Sequence, residues 1–217
     1  RDWSVTGVQT CALPIYDLSV PGPRNFIANG FITHNSTLML NWAYTQAVYY
    51  GSSSLIFSLE MPYGQCRNIL YAMHSSHERF ERIHPPLEYQ KIKEGTLSPK
   101  EKWFLFEHVV PDFNEKDKYG SILIEVADPE KQDFTVGDMR SRAETLYAKT
   151  PFKLLFVDHA LLVSPRHWVA STTERLNEVI RDCKKLAMSF NKGAGMAVVN
   201  DIRSEEHTSE LQSLTNL

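Results

Sequence analysis

The chain has 217 residues, of which 42% are hydrophobic, enough for one α/β domain with a core of its own. A net charge of −3 gives no global basic field, so any nucleic-acid partner would be held by local loops rather than by a charged face. Cys11, Cys66 and Cys183 are too scattered for a disulfide framework or a CxxC metal site and fit a reducing, cytoplasmic setting; with no run of about 18 apolar residues and no signal pattern, neither a membrane span nor secretion is expected.

The first element in chain order is not expected to be a protein element. Read back into codons, Val5 to Ile15 (VTGVQTCALPI) permits an oligonucleotide that resembles a short-read library adapter. The reverse complement of that oligonucleotide, in a shifted frame, translates as RSEEHTSELQS, which is Arg203 to Ser213 at the other end. Residues 1–15 and 203–217 are therefore set aside as adapter-like before any fold reasoning, with a genuine polar tail as the alternative. The natural window is about Tyr16 to Ile202.

Tyr16 to Asn35 has a short β-like pattern. Leu18 and Val20 alternate, PGPRN marks a turn, and Asn29-Gly30 between Phe26-Ile27-Ala28 and Phe31-Ile32 is a hairpin signal. The segment ends in His34-Asn35-Ser36. An asparagine can attack its own backbone carbonyl and release the following peptide as a succinimide forms, an adjacent histidine can protonate the leaving amine, and a serine hydroxyl can serve as the nucleophile of a preceding ester transfer. The string YDLSVPGPRNFIANGFITHNS resembles the C-terminal splicing blocks of inteins over its whole length. The resemblance assigns those three roles to Asn35, His34 and Ser36, and makes residues 16–35 an intein remnant of short β-strands. Arg24 stands where that family usually has a histidine, and an always-charged guanidinium cannot shuttle a proton.

Beyond Ser36 the period becomes helical, with Leu40, Ala43, Ala47 and Val48 ahead of the Gly51 turn. Ser54 to Leu59 reads as a short apolar strand closed by Glu60, and Tyr63 to Met73 as a helix. Ser98 to Val109 reads as a helix with Pro99 in its first turn and Trp103, Phe106 and Val110 on one face. Ile122 to Val126 is strand-like. Thr135-x-x-Asp138 caps a helix whose Val136, Met139, Ala143 and Leu146 face inward. Lys153 to Val157 is a strand ending at Asp158. Ser171-x-x-Glu174 opens a helix with Leu176, Val179, Ile180, Cys183, Leu186, Ala187 and Phe190 on one stripe, and Met196 to Val199 is a last strand. Strands alternating with helices predict a parallel sheet covered on both faces, with ligands at the carboxyl ends of the strands.

Several strings at those strand ends carry chemistry: Ser36-Thr37 opening a helix, FSLEMP at Phe57 to Pro62, LLFVDH at Leu154 to His159 and AVVND at Ala197 to Asp201. Together they resemble the RecA-like ATPase core of DnaB-like replicative DNA helicases over most of residues 36–202. The resemblance implies an incomplete RecA-like P-loop NTPase core, a parallel sheet flanked by helices, that uses ATP and Mg²⁺. Ser36 would match the serine closing a GxxxxGK[ST] loop and bind Mg²⁺, with Thr37 beside it. Asp158 would hold the Mg²⁺ shell, and Glu60 would orient and deprotonate the attacking water. The bland readings, a solvated glutamate and an apolar strand that happens to end in aspartate, stand beside these. His159 replaces the family's usual tyrosine. Asn200 or Asp201 falls where the family has a polar sensor. Arg166 and His167, with Trp168 for stacking, are the basic candidates in a loop after a strand, and a plain surface loop is the alternative. His74, His77 and His84 have no HExxH order, so no zinc site is expected.

The resemblance further implies single-stranded DNA and a homo-hexameric ring as partners, with the arginine finger and most DNA loops beyond this window. The chain by itself, without a Gly-Lys ahead of Ser36, is expected to be inactive. The rivals are a recombinase or clock-type ATPase on the same core, against which SLEMP followed by Gly64-Gln65 speaks, and a self-processing intein fragment without ATPase function.

Overall fold

The computed structural model describes residues 26–28, 31–33, 35–126, 134–167, 171–190 and 197–201. The adapter-like ends, the expected strand around Leu18 and Val20, and Arg24, His34, Trp168 and Met196 lie outside the described residues.

The apolar triplets on either side of Asn29-Gly30 pair as expected: β1 (Phe26–Ala28) runs antiparallel to β2 (Phe31–Thr33), with Ala28 opposite Phe31. The architecture changes with α1 (Asn35–Tyr50), which closes at Gly51, whose φ of 61° suits a residue without a Cβ. The remaining strands are β3 (Ser54–Ser58), β4 (Ile122–Val126), β5 (Leu154–Asp158) and β6 (Ala197–Asp201). They form one parallel sheet in the order β4-β3-β5-β6.

Alternation along the two central strands sets the layers, because successive side chains point to opposite faces. Leu55, Phe57, Leu155 and Val157 pack with Met139 and Ala143 of α6 (Val136–Lys149) and with Val179, Cys183, Leu186 and Ala187 of α7 (Thr172–Phe190). Ile56 and Phe156 point the other way, onto Leu40, Ala43 and Tyr44 of α1 and Cys66, Ile69 and Leu70 of α2 (Tyr63–Ser75). Burying each such large side chain contributes about 1.5–3 kcal/mol, so the three layers hold one another. The Thr135/Asp138 capping box forms as the spacing predicts, Asp138 N–H donating to Thr135 Oγ1 at 3.2 Å. On α7 the buried stripe also takes in Asp182, which periodicity did not mark; Arg166 and Lys185 each place a cation 3.0 Å from it.

Between β3 and β4 the chain inserts a helical subdomain: α2, a 3-10 turn (Glu78–Phe80), α3 (Tyr89–Glu94), α4 (Pro99–Phe104), a π-helical turn (Leu105–Val109) and α5 (Val110–Phe113). Here the expected face holds only in part: Val110 packs against the buried cluster, but its two aromatic companions do not. Trp103 and Phe106 are exposed, and Phe104, Leu105 and Val109 are buried instead. The reason is the aromatic neighbourhood: Phe104 meets the ring of Phe80 edge-on at 5.4 Å and stacks on His84 at 4.8 Å, which draws Phe104 rather than Trp103 into the cluster. Among the described residues no helix is long and apolar enough to cross a membrane.

Candidate functional site

Parallel pairing aligns the strand ends. Ser58 of β3 lies in register with Asp158 of β5 and with Val126 of β4, and Asp158 with Asp201 of β6. The carboxyl edge of the sheet is thus a row in which β5 ends in a carboxylate that is fully buried.

Into that row comes the start of α1. Ser36, one residue into the helix and 5% exposed, donates its hydroxyl hydrogen to Asp158 Oδ1 at 3.1 Å, across 122 residues of sequence. The first turn of a helix offers free N–H groups and the positive end of the dipole, a favourable setting for an anion. Thr37 is half-buried beside it. A hydroxyl and a carboxylate are hard oxygen donors of the kind Mg²⁺ accepts while keeping several waters, so this pair fits that ion chemically. The residues immediately before Ser36 are Thr33-His34-Asn35, which do not offer the glycines and lysine of a phosphate cradle.

Glu60 is exposed, two residues past the end of β3. Its bend is tied to the central row at two points that sequence reasoning missed. Leu59 N–H donates to the Asp158 carbonyl at 2.5 Å, and the Ser58 hydroxyl donates to the Met61 carbonyl at 2.8 Å. The peptide bond joining Asp158 to His159 is cis. The geometry therefore brings Ser36 and Asp158 together and carries Glu60 to the same edge of the sheet. Asn35 starts α1, and Asn200 and Asp201 end β6, but their side chains lie outside the described residues, as does His34.

The other basic candidates are engaged elsewhere. Arg166 Nε lies 3.0 Å from Asp182, its amide donates to Glu178, and His167 Nδ1 is 3.5 Å from Glu178, so the loop after β5 is clamped onto α7. His74 belongs to a buried network. Tyr44 OH lies 2.9 Å from His74 Nδ1, and His74 Nε2 lies 2.9 Å from Asp112 Oδ2. Asp112 also accepts from Tyr119 at 2.8 Å, from Lys118 at 2.7 Å and from Arg79. Burial lowers the His74 pKa to about 4 against the pull of the Asp112 hydrogen bond. Burial alone would raise that of Asp112, but the bonds from Lys118, Tyr119 and His74 hold it well below the usual carboxylate range. The neutral ring then donates from Nε2 and accepts the Tyr44 proton at Nδ1. No sequence signal marks this network, because its members come from α1, α2, α5 and two turns.

Comparison with known proteins follows the same line. The sequence profile of the DnaB-like helicase C terminal domain matches residues 31–199. Among solved structures, that of a DnaB-like replicative helicase, determined with a view to its interactions with primase, superimposes with a TM-score of 0.58 at 18% identity. It covers 79% of this chain and 37% of the other. A second solved structure, described as an ATPase domain, gives a TM-score of 0.59, also at 18% identity, covering 80% of this chain and 55% of that one. The chain thus spans about a third to a half of the structures it matches. No curated protein matches in sequence. At this identity the structures establish the fold, a RecA-like core, and the profile spans most of the chain. This chain belongs to the family of DnaB-like helicase C-terminal domains.

Proposed function

We propose that the chain is the ATPase core of a ring-forming replicative DNA helicase that hydrolyses ATP with Mg²⁺ to move along single-stranded DNA. The observation that carries this reading is the 3.1 Å hydrogen bond from Ser36 Oγ to Asp158 Oδ1, which joins a helix-start hydroxyl to a strand-end carboxylate at the carboxyl edge of a parallel sheet. Ser36 and Asp158 would hold the ion, with Thr37 adjoining. Bound there, the ion would supply positive charge against the charge that develops on the phosphate oxygens. Glu60 takes the proton of the attacking water. The hexamer and the DNA are inferred from the family. The test is Glu60→Gln in the full-length protein. It is expected to lower ATP turnover about 10²- to 10⁴-fold with nucleotide affinity kept; a variant that still turns over near the wild-type rate would remove Glu60 from the mechanism.

We also infer that residues 16–35 are the tail of an intein whose cleavage after Asn35 exposes Ser36, and that residues 1–15 and 203–217 derive from adapter. The β1–β2 hairpin directly before α1 supports a change of architecture at that point. Mass spectrometry of the purified chain is expected to show a product starting at Ser36 that Asn35→Ala abolishes. Sequencing the source DNA past both ends is expected to replace the adapter-like peptides.

A further inference from the structure

Ser58 is the last residue of a strand whose five residues are all buried, and it is itself 1% exposed. A hydroxyl brought into such a place has to find its partner inside the protein. It finds one in the bend that follows. Ser58 Oγ donates to the Met61 carbonyl at 2.8 Å, closing a ring of backbone with Leu59 and Glu60 inside it, and it lies 3.5 Å from Cys66 Sγ. Cys66 is fully buried in the first turn of α2, its amide bonded to the Pro62 carbonyl at 3.3 Å. Burial raises the Cys66 pKa, against the opposing bond with Ser58 and with a further push from the Asp158 carboxylate. The thiol therefore keeps its hydrogen and can donate it to Ser58 Oγ, whose own hydrogen is committed to Met61. On the other side, Leu59 N–H is bonded to the Asp158 carbonyl. The bend bearing Glu60 is thus fastened to β5, to α2 and to itself.

We propose that Ser58, backed by Cys66, is a positioning residue for ATP hydrolysis: its hydroxyl locks the 58–61 bend so that the Glu60 carboxylate is presented at the carboxyl edge of the sheet in one orientation. This rests on the reading of Glu60 as the general base. Without the hydroxyl, the Met61 carbonyl loses its internal partner and the bend gains freedom, and a displacement of about 1 Å at a reacting group can cost on the order of 10²-fold in rate.

The experiment is steady-state ATP hydrolysis by the full-length protein as wild type, Ser58→Ala, Ser58→Thr and Glu60→Gln, each with a thermal melt. Ser58→Ala is expected to lower kcat about 10- to 100-fold with KM for ATP unchanged, and Ser58→Thr, which keeps the hydroxyl, to restore most of it. A wild-type kcat in Ser58→Ala overturns the proposal. So does a loss that Ser58→Thr shares in full while still folded, since that marks a packing role only. Should Ser58→Ala fail to fold, Cys66→Ala carries the test, with kcat expected to drop ~3-fold at unchanged KM because one weak donor is lost; an unaltered kcat there overturns the proposal equally. Full turnover in Glu60→Gln instead removes the general-base reading on which the inference stands, and is told apart by that variant alone.

Discussion

Asp158 and Ser36 illustrate how much chemistry a single register can set. Asp158 is buried because β5 is a central strand, and it is aimed at the start of α1 because parallel pairing puts it opposite Ser58 at the strand ends. Replacing it by asparagine keeps the shape and an acceptor for Ser36 and removes only the negative charge. In the full-length protein we expect Asp158→Asn to melt within a few degrees of wild type but to lose Mg²⁺-dependent nucleotide binding and to hydrolyse ATP at least about 10²-fold more slowly, since the ion is the largest local charge in such a site. A magnesium titration that matched wild type would separate Asp158 from the metal and leave it a structural partner of Ser36. Ser36→Ala is milder on this argument, because a neutral hydroxyl is replaceable by water.

At the scale of elements, α1, α2 and α5 are joined by the Tyr44–His74–Asp112 network, and its titration has a sign that can be worked out. The folded-state pKa of His74 is lowered to about 4 from an ordinary 6.5, so between those values the unfolded chain binds the proton and the folded chain does not. The stabilisation is complete above about 6.5 and is lost as pH falls towards about 4. Urea denaturation at a series of pH values is expected to show this loss in wild type and a flatter profile in His74→Phe; equal slopes would show that His74 does not control it. None of this was legible in the sequence, where Tyr44, His74 and Asp112 are separated by 30 and 38 residues. The strands and long helices were legible, because β3, β5 and α7 carry their burial pattern in their own periodicity. The helix around Trp103 shows where that reading stops. Its local pattern admits two neighbouring faces, and the choice between them is made by Phe80 and His84, residues whose place depends on the rest of the subdomain. The candidate site is legible only in part for the same reason: Glu60 and Asp158 sit in recognisable strings, whereas the bonds of Ser58 and Leu59 are visible only once β3 and β5 are side by side.

For the whole molecule, the decisive fact is what stands ahead of α1. A phosphate cradle needs backbone N–H groups turned inward by glycines and a lysine at the β- and γ-phosphates, and this chain has Thr33-His34-Asn35 in that place. The sheet gives a second reason to look there. Among the described residues β6 is hydrogen-bonded to β5 on one side only, and the strand that would deliver a phosphate-binding loop to the N-terminus of α1 has an edge of the same sheet to join. The 217-residue chain alone is therefore expected to show no Mg²⁺-dependent ATP turnover above background. A protein extended upstream to include a Gly-Lys loop, and freed of residues 16–35, is expected to bind ATP and to hydrolyse it once assembled with single-stranded DNA. A sensitive phosphate-release assay on both proteins decides the matter. Turnover by the short chain that Glu60→Gln abolishes would mean that Ser36, Asp158 and Glu60 suffice without the lysine, and the dependence on an upstream loop would be wrong. Silence from the short chain and activity in the extended one would assign the missing phosphate contacts to the segment before Ser36.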